Sequence, residues 1–363
     1  MTKLNLHDFH RGLGATFAGL QGCEVVGHFG DAMAEYAALR ESAGVLDLGF
    51  RGRLCLAGAD RVRFLNGQVT NDVKVLAEGQ GCYAAIVNAK GKIESDANIY
   101  CLRDELLLDF EPGLAAKLTQ RFEKYIIADD VQIVDVAPHY GLFSVQGPRA
   151  GVVIERLGLE LELPSRIRTF SRATVPEFGE VYCMNHPRIR GAGFDLFAPV
   201  AALESLAERL RGAVAESGGR CCGWQALETA RIEAGIPRFG IDMNESNLAP
   251  EAGIEKEAIS YIKGCYIGQE IIARLRTYGQ VTKALRGLLL EKELKALPQT
   301  GDRLWQGDRE IGYVTSVVFS PTLKSNIALG YARRECNQPG TRLALRTAAG
   351  ESAVEVVPLP FVK

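Results

Sequence analysis

Residues 312–332 read GYVTSVVFSPTLKSNIALGYA, which is two short runs of β-branched and apolar residues separated by a Ser-Pro-Thr turn. Runs of this composition, bounded by turn residues, are typical of β-strands. Similar short runs lie on both sides, among them ALRGLLLE, DRLWQ, TRLALRT and SAVEVVP, and they are separated by Gly, Pro, Asp and Asn. The spacing predicts a small antiparallel β-barrel that forms a last domain over residues 281–363.

The preceding residues, 1–280, have a different texture. Strand and helix signals alternate there without the regular βαβ order of a doubly wound sheet, which favours an α+β fold. Asp31 is placed to cap a helix over AMAEYAALRESAG. Residues 199–219, PVAALESLAERLRGAVAESGG, form the clearest amphipathic pattern and are stopped by two glycines. A chain of 363 residues exceeds one ordinary hydrophobic core, so two or three lobes are expected.

Composition restricts the function classes. The chain is 47% hydrophobic and 24% charged with a net charge of −2, which is typical of a soluble globular protein and disfavours nucleic-acid binding through bulk positive charge. No apolar run approaches the roughly 20 residues of a membrane span, and the N-terminus lacks the apolar core of a signal peptide. Nine cysteines without a Cys-x-x-Cys pair indicate free thiols in a reducing cytoplasm, and neither they nor the five histidines have the spacing of a metal or iron–sulfur site.

Residues 88–100, NAKGKIESDANIY, carry the first group of candidate site residues. Side chains alternate along a strand, so Glu94, Asp96, Asn98 and Tyr100 share one face. That polar face either lines a cavity or lies in water, and the pattern alone favours water.

Two further polar residues stand in apolar surroundings. Asp195, within GAGFDLF, must be paired or hydrogen-bonded; a ligand with two adjacent donors, such as the edge of a pterin or guanine, would satisfy it, and so would backbone N–H groups. Arg231, within ARIEAGIPRFGID, offers a planar fork to a carboxylate or ring carbonyl. Its alternative is a helix-end arginine with Glu233 as a surface partner, which the local pattern favours.

Residues 263–270, KGCYIGQE, place a thiol before the predicted helix QEIIARLR. A cysteine close to a helix N-terminus, with Lys263 two residues away, would be an activated nucleophile. Cysteine is also a common small buried residue, so Cys265 can be read either way.

In this order the stretches FLNGQVTND, NAKGKIESD, GLFSVQGP and ARIEAGIPRFGIDM, followed by the terminal barrel, resemble the folate-binding superfamily of the glycine-cleavage T-protein (aminomethyltransferase) over nearly the full length. Within it the chain is most similar to the YgfZ-type branch, tetrahydrofolate-binding proteins that support iron–sulfur enzymes. KGCYIGQE is the signature of that branch, and T-proteins lack its cysteine.

The resemblance implies a three-lobed ring around a folate channel, with two interleaved α+β lobes in residues 1–280 and the barrel as the third lobe. It implies that Asp96 faces the reactive N5/N10 region of tetrahydrofolate and that Tyr83 and Tyr100 line the ring. Asp195 stands where the family has the glutamate that holds the pterin edge, and Arg231 matches the family's arginine. One departure is that Arg188-Ile189-Arg190-Gly191 replaces Tyr-Thr-Gly-Glu, which removes a stacking tyrosine and adds two cations suited to the glutamyl tail of folate.

Two folate-dependent functions follow from the resemblance. The first is a tetrahydrofolate-binding protein that supports iron–sulfur cluster assembly or repair through a one-carbon step, with Asp96 stabilising a cationic centre and Cys265, assisted by Lys263, as the nucleophile. Its partners would be folate and iron–sulfur client proteins. The alternative is an aminomethyltransferase of the glycine cleavage system, which takes its group from a lipoyl carrier protein. An interaction module that binds no folate is a third hypothesis, so enzymatic turnover stays open.

Overall fold

The computed structural model describes residues 1–291, 294 and 296–362. By packing, the chain divides into two compact units, Met1–Ala84 with Asp96–Ala230, and Ala85–Ser95 with Arg231–Lys363. Packing thus groups residues 231–280 with the C-terminal strands, whereas the sequence-based division at residue 280 follows the change in residue pattern. Within the described ranges no helix has both the length and the apolar character needed to cross a membrane.

The elements follow one another irregularly along the chain. The described strands are β1 (Thr16–Leu20), β2 (Cys23–His28), β3 (Gly44–Asp47), β4 (Gly52–Ala57), β5 (Gly81–Val87), β6 (Ile93–Cys101), β7 (Leu106–Phe110), β8 (Gln132–Asp135), β9 (Tyr140–Gln146), β10 (Phe170–Val175), β11 (Gly179–Asn185), β12 (Gly193–Pro199), β13 (Arg220–Cys221), β14 (Lys283–Leu290), β15 (Arg303–Gln306), β16 (Arg309–Ser320), β17 (Ser325–Arg333), β18 (Arg342–Thr347) and β19 (Gly350–Val357). The described α-helices are α1 (His7–Gly12), α2 (Ala32–Glu41), α3 (Arg61–Gln68), α4 (Ala115–Glu123), α5 (Ala150–Arg156), α6 (Leu203–Glu216), α7 (Trp224–Glu233), α8 (Glu255–Ala258) and α9 (Gln269–Tyr278).

Two of the predicted helices show how local sequence fixes their bounds. The side chain of Asp31 accepts hydrogen bonds from the backbone N–H groups of Met33 and Ala34 at 3.1 and 3.0 Å, so α2 begins where the capping pattern predicts. α6 buries the apolar stripe that its spacing predicts, and it ends just before the two glycines.

The described strands of the first unit form the two-stranded β1–β2 pair and two larger sheets. One has six strands in the order β10-β11-β12-β9-β3-β13, and the other has five strands in the order β5-β6-β7-β4-β8. A buried apolar cluster joins residues of both sheets, including Leu46, Leu142 and Phe197 of the first and Cys55 and Leu107 of the second. The sheets therefore face each other, and any polar side chain between them is removed from water. A second cluster packs α5 and α6 against the six-stranded sheet.

The second unit contains the predicted barrel. Its strands close in the order β14-β17-β16-β15-β18-β19, and β14 pairs with both β17 and β19. Closure leaves no free strand edge, and the inward side chains form an apolar core that includes Leu288, Leu304, Val314, Leu345 and Val356. The antiparallel barrel expected from the short runs around residues 312–332 is confirmed.

Candidate functional site

Tyr83 and Asp96 meet across two neighbouring strands. β5 carries Tyr83 and β6 carries Asp96, and the tyrosine hydroxyl donates a hydrogen bond of 2.6 Å to the carboxylate. The guanidinium carbon of Arg168 lies 5.5 Å from the centre of the Tyr83 ring. The structure thus brings together two of the predicted site residues in one direct contact.

The pKa of the Asp96 carboxyl is raised towards neutral pH. Burial raises its pKa to about 6, the Tyr83 hydrogen bond acts in the opposite direction, and the charge of Glu111 adds to the rise. A carboxyl group that titrates near pH 6 can both accept and release a proton at physiological pH. This is the chemical property that a general acid–base residue needs.

The polar face of β6 continues inwards from Asp96. Asn98 is 7% exposed and Tyr100 is 1% exposed, so the expectation from pattern alone that this face lies in water is wrong for both residues. The Tyr100 ring packs edge-on against Phe170 with 6.2 Å between ring centres. Its hydroxyl is buried and has no hydrogen-bond partner among the described residues, and burial raises its pKa. A buried hydroxyl without a partner is expected to be satisfied by a ligand, an ordered water or an ion.

Asp195 is held by side chains. Its carboxylate accepts hydrogen bonds from the Ser144 hydroxyl at 2.6 Å and from Arg188 Nη2 at 2.6 Å, and it lies 3.0 Å from His186 Nδ1. The alternative of a carboxylate held by backbone N–H groups is therefore wrong. Burial alone would raise the pKa of Asp195, but the charges of Arg188 and His186 outweigh it and hold the pKa well below its usual range.

Arg188 links Asp195 to a longer chain of charges. Its Nη2 also donates to Asp109 at 3.0 Å, while Arg51 binds Asp109 through Nε at 2.7 Å and Glu111 through Nη1 at 2.6 Å. The Arg188 side chain is 9% exposed, and its Nε and Nη2 are bound by the Asp195 and Asp109 carboxylates. Arg190 is exposed.

The sequence analysis missed Asp109, Arg51 and Glu111. Asp109 stands in the apolar run of β7 and is fully buried, so it shows the same signal that singled out Asp195. The arginine that pairs with it is 58 residues away along the chain. A sequence shows that such a carboxylate needs a partner, but it does not show which arginine supplies it.

Asp109, His186 and Asp195 also bring three potential metal ligands within 4.8 Å of one another. Both carboxylates already accept hydrogen bonds from the Arg188 guanidinium. A metal ion would have to displace the buried Arg188 guanidinium, so these side chains are arranged to bind an arginine and not a metal.

Arg231 lies in the second unit and is 2% exposed. It binds Asp242 through Nη1, and it donates to Ser316 Oγ at 2.7 Å and to the Ile236 carbonyl at 3.1 Å. Glu233 is also buried and accepts a hydrogen bond from Ser320. Arg231 does lie in the last turn of α7, as expected, but the expectation that Glu233 is its surface partner is wrong.

KGCYIGQE forms the loop that leads into α9. Cys265 is exposed, so its interpretation as a small buried residue is wrong. Lys263 is 6% exposed, and its ammonium nitrogen lies 5.0 Å from the centre of the Tyr266 ring. α9 begins at Gln269, as predicted, after Gly268. None of the nine cysteines, all of which lie in the described ranges, forms a disulfide.

The predicted site residues therefore fall into two groups. Tyr83, Asp96, Tyr100 and Asp195 belong to the first unit, whereas Arg231, Lys263 and Cys265 belong to the second. The chemistry of the first group rests on Asp96, whose carboxyl has a donor beside it and an intermediate pKa.

Two family models match this chain. The model described as the GCVT N-terminal domain matches residues 6–258, and the model of the glycine cleavage T-protein C-terminal barrel domain matches residues 283–363. The chain belongs to the glycine cleavage T-protein family.

Individual relatives match over the full length. An aminomethyltransferase of Halalkalibacterium halodurans is 29% identical over 365 residues, which cover 100% of this chain and 98% of the relative. An aminomethyltransferase of Rubrobacter xylanophilus is 29% identical over 364 residues, covering 100% and 95%. The crystal structure of glycine cleavage system aminomethyltransferase T from Bartonella henselae matches with a TM-score of 0.88 at 22% identity, covering 99% of this chain and 98% of that one. The predicted aminomethyltransferase-type fold is confirmed.

Proposed function

We propose that this protein is a folate-dependent transferase that moves a one-carbon, aminomethyl-type group to tetrahydrofolate. The observation that carries the proposal is the Asp96 carboxyl, which receives the Tyr83 hydroxyl at 2.6 Å and has a pKa of about 6. Proteins of this family use tetrahydrofolate as substrate or cofactor. The full-length relatives named aminomethyltransferase support this function better than the iron–sulfur role.

In this proposal Asp96 lies against the N5/N10 edge of folate. As a carboxylate it stabilises the positive charge that develops on nitrogen during transfer, and as an acid it returns a proton. Tyr83 orients Asp96 through its hydrogen bond, and Tyr100 lines the ring with its buried hydroxyl.

Asp195 takes a different role from that of a free pterin-binding acid. Its two oxygens already accept hydrogen bonds from Ser144 and Arg188, so Asp195 acts on the pterin edge by holding Arg188 in place. The donors that reach the ligand in this proposal are therefore those of the guanidinium.

The function is tested with purified protein, tetrahydrofolate and a lipoyl carrier loaded with the aminomethyl group. We expect methylene-tetrahydrofolate, ammonia and the lipoyl carrier with its sulfur released as a thiol, at a rate that falls about 100-fold or more in Asp96→Asn. Asp308→Asn removes an exposed acid and is the matched control, for which we expect an unchanged rate. Equal rates for wild type and Asp96→Asn would remove Asp96 from the mechanism.

A second candidate is the YgfZ-type function, in which folate binding supports iron–sulfur proteins in the cytoplasm. The exposure of Cys265 in its signature loop favours it, since an exposed thiol can react with a client protein. In cells that depend on this chain, Cys265→Ala would then lower the activity of iron–sulfur enzymes, while the same change at the buried Cys336 serves as the control. If Cys265→Ala leaves the activity of iron–sulfur enzymes unchanged, the iron–sulfur function is excluded and only the transferase function remains.

A further inference from the structure

A cavity of about 470 Å³ lies in the first unit and is lined by the turn between β6 and β7 together with residues of β9, β11 and β12. Its volume is within the range of about 300–1,000 Å³ that is usual for small-molecule sites. Asp96 and Leu102, the first residue of that turn, stand six positions apart, which corresponds to about 20 Å at the usual rise of a strand. The cavity is therefore distinct from the Asp96–Tyr83 pair, and the proposed transfer reaction does not use it.

The walls of the cavity are mostly apolar and aromatic. Leu107 and Phe197 are buried, and Val136 is half-buried. The rings of Tyr140 and Tyr182 lie 6.4 Å apart between centres with an angle of 62° between their planes, so the two half-buried rings form a corner. Walls of this composition bind the apolar or aromatic part of a ligand, and the faces of the two rings attract a cation.

Two carboxylates lie beside this tyrosine corner. The Tyr182 hydroxyl donates a hydrogen bond of 2.7 Å to Glu180. Burial raises the pKa of Tyr140, and the charges of Glu180 and Glu105 add to the rise, so both carboxylates are close to the Tyr140 hydroxyl. Burial also raises the pKa of the Cys55 thiol, to which the hydrogen bond and the charge of Glu105 contribute. Because Cys55 is part of the lining, this contact directs Glu105 towards the cavity.

The cations of the lining leave Glu105 without an ion pair. Arg172 binds the other carboxylate, Glu180, at 3.2 Å. Arg103 is exposed to water, and Arg53 is fully buried and is acted on by carboxylates that do not belong to the lining. Glu105 therefore has no ion-pair partner among the described residues, and its carboxylate is available to a cation that enters the cavity.

We propose that this cavity binds a small organic cation with an aromatic group, of the arylalkyl-ammonium class. The ammonium group lies between the Glu105 carboxylate and the rings of Tyr140 and Tyr182, and the aromatic group packs against Leu107 and Phe197. A carboxylate and the face of an aromatic ring both attract a cation, and the attraction is stronger where water is excluded. A neutral ligand of the same shape gains only the apolar contacts.

The test is calorimetric titration of the full chain, at neutral pH and low ionic strength, with three ligands that share an indole ring. Tryptamine is a cation, tryptophol is neutral and indole-3-acetate is an anion. We expect tryptamine to bind about tenfold or more tightly than tryptophol, and indole-3-acetate to bind more weakly than either. Equal affinities for tryptamine and tryptophol, or no binding of any of the three, would overturn the proposal.

A pair of variants in the same turn tests the role of Glu105. Glu105→Gln keeps the size of the side chain and removes its charge, so the preference for tryptamine over tryptophol should fall to about twofold or less. Asp104→Asn is the matched control, because Asp104 is an exposed acid of the same lining, and this variant should keep the preference. A preference that is unchanged in Glu105→Gln, or lost equally in both variants, would contradict the proposal.

Tetrahydrofolate separates this site from the proposed transferase function. Saturating tetrahydrofolate should leave the affinity for tryptamine unchanged, since the two sites are distinct. Competition between the two ligands would place tryptamine in the folate site and overturn the inference. Failure of the transferase assay has no bearing on this titration.

Discussion

At the scale of single residues, the protonation of Asp96 sets a pH dependence. Its pKa is raised to about 6, so the carboxylate predominates above that pH and is lost below it. If the carboxylate is the active form, kcat/KM for aminomethyl transfer falls about tenfold per pH unit below pH 6. Tyr83→Phe removes the hydrogen bond that lowers this pKa, so its acidic limb should move to higher pH. Rate profiles of both proteins between pH 4.5 and 8 measure the shift, and superimposable limbs would contradict the account.

Arg188 makes a second prediction, which concerns stability. Arg188→Met removes part of the positive charge that compensates the buried carboxylates of Asp109 and Asp195. We therefore expect a loss of about 3–5 kcal/mol in the free energy of unfolding. Arg190→Met removes an exposed cation two residues away and should change stability by less than about 0.5 kcal/mol. Urea unfolding of the two variants compares them directly. Similar midpoints for both would show that the charge network is not coupled to folding.

The residue scale also shows what a sequence conveys about a site. Asp195 in an apolar strand was recognisable as a carboxylate that needs partners, and the structure supplies Ser144, His186 and Arg188. The substitution that brought Arg188 into the chain was visible as a departure from the family's pattern. Its burial was not visible, because burial depends on the opposing sheet with Asp109.

At the scale of elements, the start of α9 depends on one glycine. Gly268 has φ of +83°, and a Cβ added there would lie 2.5 Å from the Asn88 carbonyl oxygen. Gly268→Ala should therefore destabilise the loop and helix by at least about 1–2 kcal/mol. Gly264→Ala is the matched control in the same segment, since its added Cβ would meet nothing within 4 Å. Hydrogen exchange of the α9 amides should accelerate in the first variant only; equal protection in both would refute this role of Gly268.

Most of the elements were predictable because their signals are local. Asp31 caps α2, the apolar stripe of α6 is visible in its spacing, and the short runs of the C-terminal barrel are separated by turn residues. The burial of the polar face of β6 was less predictable. The alternation of polar and apolar residues in the sequence is the same whether the polar face meets water or a second sheet. Asn98 and Tyr100 are both buried, and the Tyr100 ring packs into the apolar cluster that joins the two sheets.

At the scale of the whole molecule, the packing predicts which part of a fragment of residues 1–280 would be unprotected. Residues 1–280 contain Arg231 and Asp242, whose buried partners Ser316 and Thr315 lie in the barrel strands. The fragment would leave these polar groups without their partners, so we expect the segment 231–280 to be unprotected in it. Limited proteolysis of the fragment and the full chain checks this, and equal resistance of that segment would contradict it.

The most direct test of the central claim is the transfer reaction itself. Wild-type protein, tetrahydrofolate and the aminomethyl-loaded lipoyl carrier should yield methylene-tetrahydrofolate and ammonia in equal amounts, and Asp96→Asn should yield both about 100-fold more slowly. The absence of product from wild-type protein, under conditions in which the Halalkalibacterium halodurans aminomethyltransferase turns over, would contradict the proposed function.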